Sequence, residues 1–140
     1  MYGESLCFAV PEHGGMEFMH AVVRISARRE SEAHEIRLLV DTGAFYSIVP
    51  RAVLTDLGVE PSFRSRLRLA DGTVIERAVG DVYLQYPGRP PIATMVVFGE
   101  EADEPVLGIH TLEGLGLQID PRSGTIREMD SVPLIAVAPA

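Results

Sequence analysis

No stretch of this sequence keeps one apolar face for long. Runs rich in Val, Ile, Leu, Phe and Tyr are each cut off by Gly, Pro, Asp or a charged cluster, usually within about four to eight residues, the length of a strand. Residues 16–40, MEFMHAVVRISARRESEAHEIRLLV, read as two β-rich runs around a charged centre at 28–35, a hairpin with a solvated turn. In residues 50–58, PRAVLTDLG, a proline stands at the start, Val53, Leu54 and Leu57 supply an apolar side and a glycine closes the segment, which predicts a short helix. Arg64, Arg66 and Arg68 alternate with Phe63, Ser65, Leu67 and Leu69, the spacing of a strand with one wet face. Asp71-Gly72 is the strongest turn signal in the chain, and residues 73–79 return from it. Residues 82–86 and 94–98 read as further strands, separated by PGRPP. In VLGIHTLEGLGLQIDP, Ile109, Leu112 and Leu115 form the stripe of a short helix, and residues 117–119 and 125–127 flank DPRSG as a hairpin. The expectation is an all-β chain with one or two short helices, as a sandwich or a small barrel.

Length allows one domain over residues 1–140, and 46% apolar with 23% charged residues is ordinary globular composition. There is no Lys and no Asn, so all 12 basic residues are arginine. That removes Schiff-base lysines, P-loop lysines, Ser-Lys dyads and N-glycosylation. A formal charge of −8 repels phosphate backbones and anionic lipid, so neither nucleic acid nor membrane is an expected partner. Cys7 is the single cysteine, and Cys7, His13, His20, His34 and His110 show no CxxC or HxxxH spacing; no disulfide and no metal site are expected. The opening MYGESLCFAVPEHGG has an acid and no basic leader, and the longest apolar stretch, residues 132–140, is too short to span a bilayer. The expected setting is the reducing cytoplasm.

Asp41-Thr42-Gly43 is the segment that carries chemistry. It follows the apolar run Leu38-Leu39-Val40 and precedes Ile48-Val49, so the Asp41 carboxylate falls where a strand becomes a loop. Gly43 lets backbone come close and offer an N–H. An Asp-Thr-Gly turn of the kind common in β proteins accounts for the tripeptide equally well.

Three segments taken together go further. LLVDTGAFYSIVP, LRLADGTVIERAVG and VLGIHTLEGLGLQIDP, in this order and at these spacings, resemble the retropepsin-like aspartic proteases, single-domain retroviral-type peptidases that act as homodimers. The resemblance spans residues 21–128. It implies a small closed-barrel-like fold assembled as a homodimer, a peptide or protein substrate and no cofactor. It implies that Asp41 is catalytic, one from each chain, that Thr42 hydrogen-bonds across the dimer axis and that the Gly43 backbone supports the carboxylates. Ala70, Asp71, Gly72 and Thr73 would form the flap over substrate. Ala44, Phe45 and Ile109 would face substrate, Leu107-Gly108 and the helix after it would support the floor, and residues 117–119 would be the interface strand. On this basis residues 1–15 are an N-terminal extension, 16–128 the core and 129–140 a tail. Retroviral members carry an acid after the DTGA tetrad and an Arg after the later Gly, which pair with each other. Here those positions hold Phe45 and Ile109, which implies a packing contact in place of an ion pair.

The chemistry of the residues agrees with the resemblance. Peptide hydrolysis without a metal needs one group to take a proton from water and another to give one. Two neighbouring carboxylates cannot both ionise, so they share one proton and do both tasks, as aspartic-protease dyads do. The sequence holds one Asp-Thr-Gly, so the second carboxylate is expected from another copy. A non-catalytic dimerisation or peptide-binding module of the same fold is the rival reading, favoured by Phe45 and Ile109 and opposed by the intact DTGA. A β domain binding a small ligand, with DTG as a turn only, is a third. His110 reads as structural or exposed, Cys7 as a plain small side chain, and Asp81 and Asp120-Pro121 as surface and turn residues. Arg64, Arg66 and Arg68 could meet acidic partners, though a solvated strand face accounts for them more simply. The apolar run VPLIAV at 132–137 could pair at a subunit interface or lie in the substrate groove.

Overall fold

The computed structural model of the chain describes residues 19–120 and 122–131. The N-terminal extension with Cys7 and His13, the start of the first expected strand at 16–18, Pro121 and the apolar run at 132–137 lie outside the described residues.

The first hairpin forms where the alternation predicts it. Strands β1 (His20–Ser26) and β2 (His34–Asp41) pair antiparallel, from His20 opposite Leu39 to Ile25 opposite His34. Ala21, Val23 and Ile25 are buried while Val22 and Arg24 face outward, the period of two that a half-buried strand requires. Strand β3 (Ser47–Pro50) runs directly into helix α1 (Arg51–Leu57). Pro50 lacks an N–H to leave unsatisfied at the helix start, Leu54 is buried, and the N–H groups of Gly58 and Val59 close the far end on the carbonyls of Thr55 (3.0 Å) and Leu54 (2.9 Å).

Strand β4 (Phe63–Arg68) and strand β5 (Val74–Gln85) form the second hairpin, with Arg64, Arg66 and Arg68 exposed as the alternation predicts. Here the structure departs from the expectation. Residues 73–79 and 82–86 read as two separate strands, but β5 runs through without interruption. Within it Gly80 permits a close approach: a Cβ there would stand 2.9 Å from both the Glu60 carbonyl and the Phe98 ring.

Strand β6 (Ile92–Gly99) lies antiparallel to β5 and parallel to β3. Strand β7 (Val106–Gly108) leads into helix α2 (Ile109–Gly114), and β8 (Leu117–Asp120) pairs with β9 (Thr125–Glu128) in a separate hairpin. The strand order β1-β2-β7-β3-β6-β5 is completed by a β5–β1 pairing, Ile25 opposite Leu84, so the sheet closes on itself as a ring and β4 hangs from β5 outside it. Of the two architectures left open, a sandwich of stacked sheets is not what forms. The core is built from strand side chains such as Phe98, Leu38, Leu84 and Leu107 together with Leu54 of α1 and Leu112 of α2, all essentially without solvent contact. No helix among the described residues is long and apolar enough to cross a membrane.

The loop between β6 and β7 is held to the ring by charge. Arg77 grips Asp103 with two hydrogen bonds, Nε to Oδ2 at 2.7 Å and Nη2 to Oδ1 at 2.9 Å, and Asp103 Oδ2 also accepts the Glu100 N–H at 2.7 Å. Glu100 in turn meets Arg51 at the start of α1. The Arg77 and Asp103 side chains are only 18% and 14% exposed, so this fork is screened less than a surface pair. Arg77, with the Glu100 N–H assisting, holds the Asp103 carboxylate below its ordinary range. A lowered carboxylate stabilises the fold above its unfolded pKa and loses that contribution as pH falls through the folded value. Asp103→Asn is therefore expected to lower unfolding free energy by about 1–3 kcal/mol at pH 7. Denaturant titrations of the two proteins should converge as pH falls below about 4.

Candidate functional site

Asp41 is the last residue of β2, and its position is set by a strand from the other end of the chain. Strand β7 inserts between β2 and β3, parallel to β2, with Leu39, Val40 and Asp41 opposite Val106, Leu107 and Gly108. On its other side Val106 pairs with Ile48 of β3. The connection from β2 to β3, residues 42–46, must then pass over the end of β7. It does so in contact: the Ala44 and Phe45 carbonyls accept the N–H groups of Ile109 (2.8 Å) and His110 (3.1 Å). A Cβ at position 108 would stand 2.5 Å from the Tyr46 carbonyl oxygen and 2.7 Å from that of Phe45, so the crossing admits only glycine.

Beneath it lies a buried line of hydroxyls that the sequence reading missed. The Gly108 N–H donates to Ser47 Oγ (2.9 Å), Ser47 Oγ donates to Thr111 Oγ1 (2.7 Å), and Thr111 stands 3.3 Å from Thr94 Oγ1. Ser47 and Thr111 have no solvent exposure, and Thr94 is buried. Ser47 and Thr94 each interrupt an otherwise apolar strand run, YSIVP and ATMVV, and a polar residue on a buried strand face was the available signal for those two. Thr111 lies in α2 beside the exposed His110 and carried no such mark. These bonds tie β3, β6 and α2 to the strand that carries Gly108.

On this base the Asp41-Thr42-Gly43 turn is exposed. Asp41 Oδ1 accepts the Gly43 N–H at 2.9 Å, and the Asp41 carbonyl accepts the Ala44 N–H at 3.1 Å. The carboxylate is thus oriented by its own loop while staying open to solvent. Thr42 lies on the rim of a mainly apolar cleft of about 310 Å³ that continues along Ile109, Leu112, Leu117 and Ile119, with Glu113 and Gln118 at its edge. Among the described residues no group of three His, Cys, Asp or Glu converges as a metal site would require.

The structure therefore brings Asp41, Thr42, Gly43, Ala44, Phe45 and Ile109 into one loop-to-helix junction. Phe45, 58% exposed, makes its ring contacts with His110, stacked at 5.1 Å and 27°, and with Tyr46, edge-on at 5.1 Å. At residue 109 it is the main-chain N–H that meets the loop, donating to the Ala44 carbonyl. His110 is exposed, as expected. Ala70, Asp71, Gly72 and Thr73 form the β4–β5 tip, and the bonds that define it are internal. Leu69 N–H donates to the Thr73 carbonyl (2.7 Å), and Thr73 N–H donates to Asp71 Oδ1 (2.9 Å), which holds the Asp71 carboxylate below its usual range. None of the residues lining the cleft beside Thr42 comes from this tip. Asp81 is exposed on β5, and Asp120 accepts the Arg122 N–H at 2.9 Å in the β8–β9 turn, which lowers its pKa.

A second, larger cavity of about 510 Å³ lies at the opposite end of the β1–β2 hairpin, beside the turn that joins the two strands. Arg24, Arg29, Glu30, Glu32 and Tyr83 are among its walls, and Arg29 covers the Tyr83 ring at 5.0 Å. It shares no residue with the Asp41 junction. No protein-family model matches the sequence, and no curated protein matches it.

The crossing over Gly108 makes a direct forecast. Gly108→Ala must move the Phe45 and Tyr46 carbonyls or the end of β7, and should destabilise the chain by about 1–3 kcal/mol or more. Thermal and denaturant unfolding will measure it, and a stability equal to that of the unmodified chain would show that the crossing is loose.

Proposed function

We propose that this chain is an aspartic endopeptidase of the retropepsin-like type, a closed-barrel-like protomer that acts as a homodimer and hydrolyses peptide bonds with one Asp41 from each subunit. The observation that carries the reading is the Asp41 turn itself. An exposed carboxylate stands at the end of β2, opposite Gly108 in parallel register and hydrogen-bonded by the Gly43 N–H. The three segments on which the sequence resemblance rests are the Asp41 loop, the β4–β5 hairpin and the β7–α2 junction, and the first and third of them meet.

In this reading the two Asp41 carboxylates share one proton. The ionised oxygen accepts a proton from water as that water attacks the carbonyl carbon, the protonated one donates to the carbonyl oxygen, and the proton then passes to the leaving nitrogen. Thr42 and Gly43 hold the two loops, and the cleft along Ile109, Leu112, Leu117 and Ile119 is apolar surface that a second copy would cover. Phe45 and Ile109, apolar where retroviral members carry an acid and an Arg, favour one alternative, a module that binds peptide without cleaving it.

Asp41→Asn tests the reading cleanly. The amide that replaces the carboxylate keeps an oxygen for the Gly43 N–H, so fold and association should persist while peptide turnover falls at least about 100-fold. Turnover of a peptide library, sedimentation velocity and circular dichroism should be measured on the same samples. A folded variant with near-normal turnover, or full activity in a monomer, overturns the proposal. The unmodified chain should show a bell-shaped rate profile on the acid side of neutrality that survives His110→Gln, since both limbs belong to the shared proton. A peptide-like mimic of the tetrahedral intermediate should bind more tightly than the matching substrate peptide only if the dyad is active; equal affinity supports the binding module.

A further inference from the structure

We infer that the outer edge of β4 is a docking strand for an acidic, extended peptide. Strand β4 ends the sheet order and pairs, among the described residues, only with β5, so every second N–H and C=O along its other side is available to a further strand. Arg64, Arg66 and Arg68 stand on one face of it, all exposed. Across β5 they meet Ala78, Glu76 and Val74. One acid thus faces three guanidinium groups. Glu76 is bound, weakly at 3.4 Å, to Arg64, while Arg66 and Arg68 have no ion-pair partner among the described residues.

Three like charges on alternate residues repel one another along a strand, a repulsion that the single Glu76 opposite them offsets only in part and that acids on an added strand would relieve. The contrast with the rest of the molecule sharpens this, since acids outnumber bases 20 to 12 over the whole chain. A strand added to β4 would place its own alternate side chains opposite these arginines, at the same spacing of about 7 Å. Acids at every second position would then pair one to one with Arg64, Arg66 and Arg68, while the main chains exchange hydrogen bonds. Nucleic acid fits less well, because a −8 chain opposes a polyanion at long range. This inference does not depend on Asp41.

The test uses the full chain carrying Asp41→Asn, so that no probe can be cleaved, and a fluorescent (Glu-Thr)4 peptide. The peptide should bind, weaken steeply with added salt and lose at least about 10-fold in affinity against the further double substitution Arg66→Gln and Arg68→Gln. A peptide N-methylated at alternate residues, which cannot complete the strand pairing, should also lose at least about 10-fold. Equal binding of (Gln-Thr)4, an unchanged affinity in the double variant, no binding at all, or tighter binding of a single-stranded oligonucleotide would each overturn it. Should the double variant lose its circular dichroism spectrum, Arg66→Lys with Arg68→Lys keeps the charge; that variant must then retain binding within about threefold.

Discussion

The insertion of β7 between β2 and β3 is the contact on which the rest of this fold depends. Without it β2 ends in an unpaired edge, and the ring of strands has a gap where Asp41 lies. With it, the chain must cross the end of β7 at van der Waals limits, and the crossing is possible only because residue 108 has no side chain. The Ser47, Thr111 and Thr94 hydroxyls then give the Gly108 N–H a partner in a place water does not reach. A buried N–H without such a partner would cost about 1–3 kcal/mol, so the polar line and the close crossing stabilise one another.

That arrangement explains how an exposed loop is held in place. The carboxylate of Asp41 is on the surface, yet the residues on each side of it are fixed. Behind it runs a strand paired on both edges, and ahead of it two carbonyls are bonded to the start of α2. Rigid support beneath a solvent-facing acid is what a catalytic or binding carboxylate needs. Charge is distributed in keeping with this division. The Arg77–Asp103 fork and the Arg51–Glu100 contact fasten the β6–β7 loop to the body, and the arginines of β4 are left on the arm outside the ring.

Much of the local structure was legible in the residues. The β1–β2 hairpin, the helix from Pro50 to the Gly58 stop, the arginine alternation of β4, the Asp71-Gly72 tip and the β8–β9 hairpin all follow from period, turn chemistry and helix ends. The strands expected at 73–79 and 82–86 are one continuous β5, and the reason for Gly80 within it is not local: Glu60 and Phe98, which need the room it leaves, come from well before and well after it in the chain.

The carboxylate on which the proposed chemistry rests was also readable. Asp41 is marked by its tripeptide and by the apolar runs on either side of it. Which segments become strands, which face of each is wet and which carboxylate ends a strand depend on neighbours within a few residues, so the linear pattern sufficed for them. Packing in three dimensions was needed to settle that residues 106–108 complete the sheet beside Asp41, that β5 closes the ring on β1, and that three hydroxyls from distant segments share one buried line. Ser47 and Thr111 are 64 positions apart, and the energy of such a pairing comes from shape and hydrogen-bond fit that no local pattern encodes.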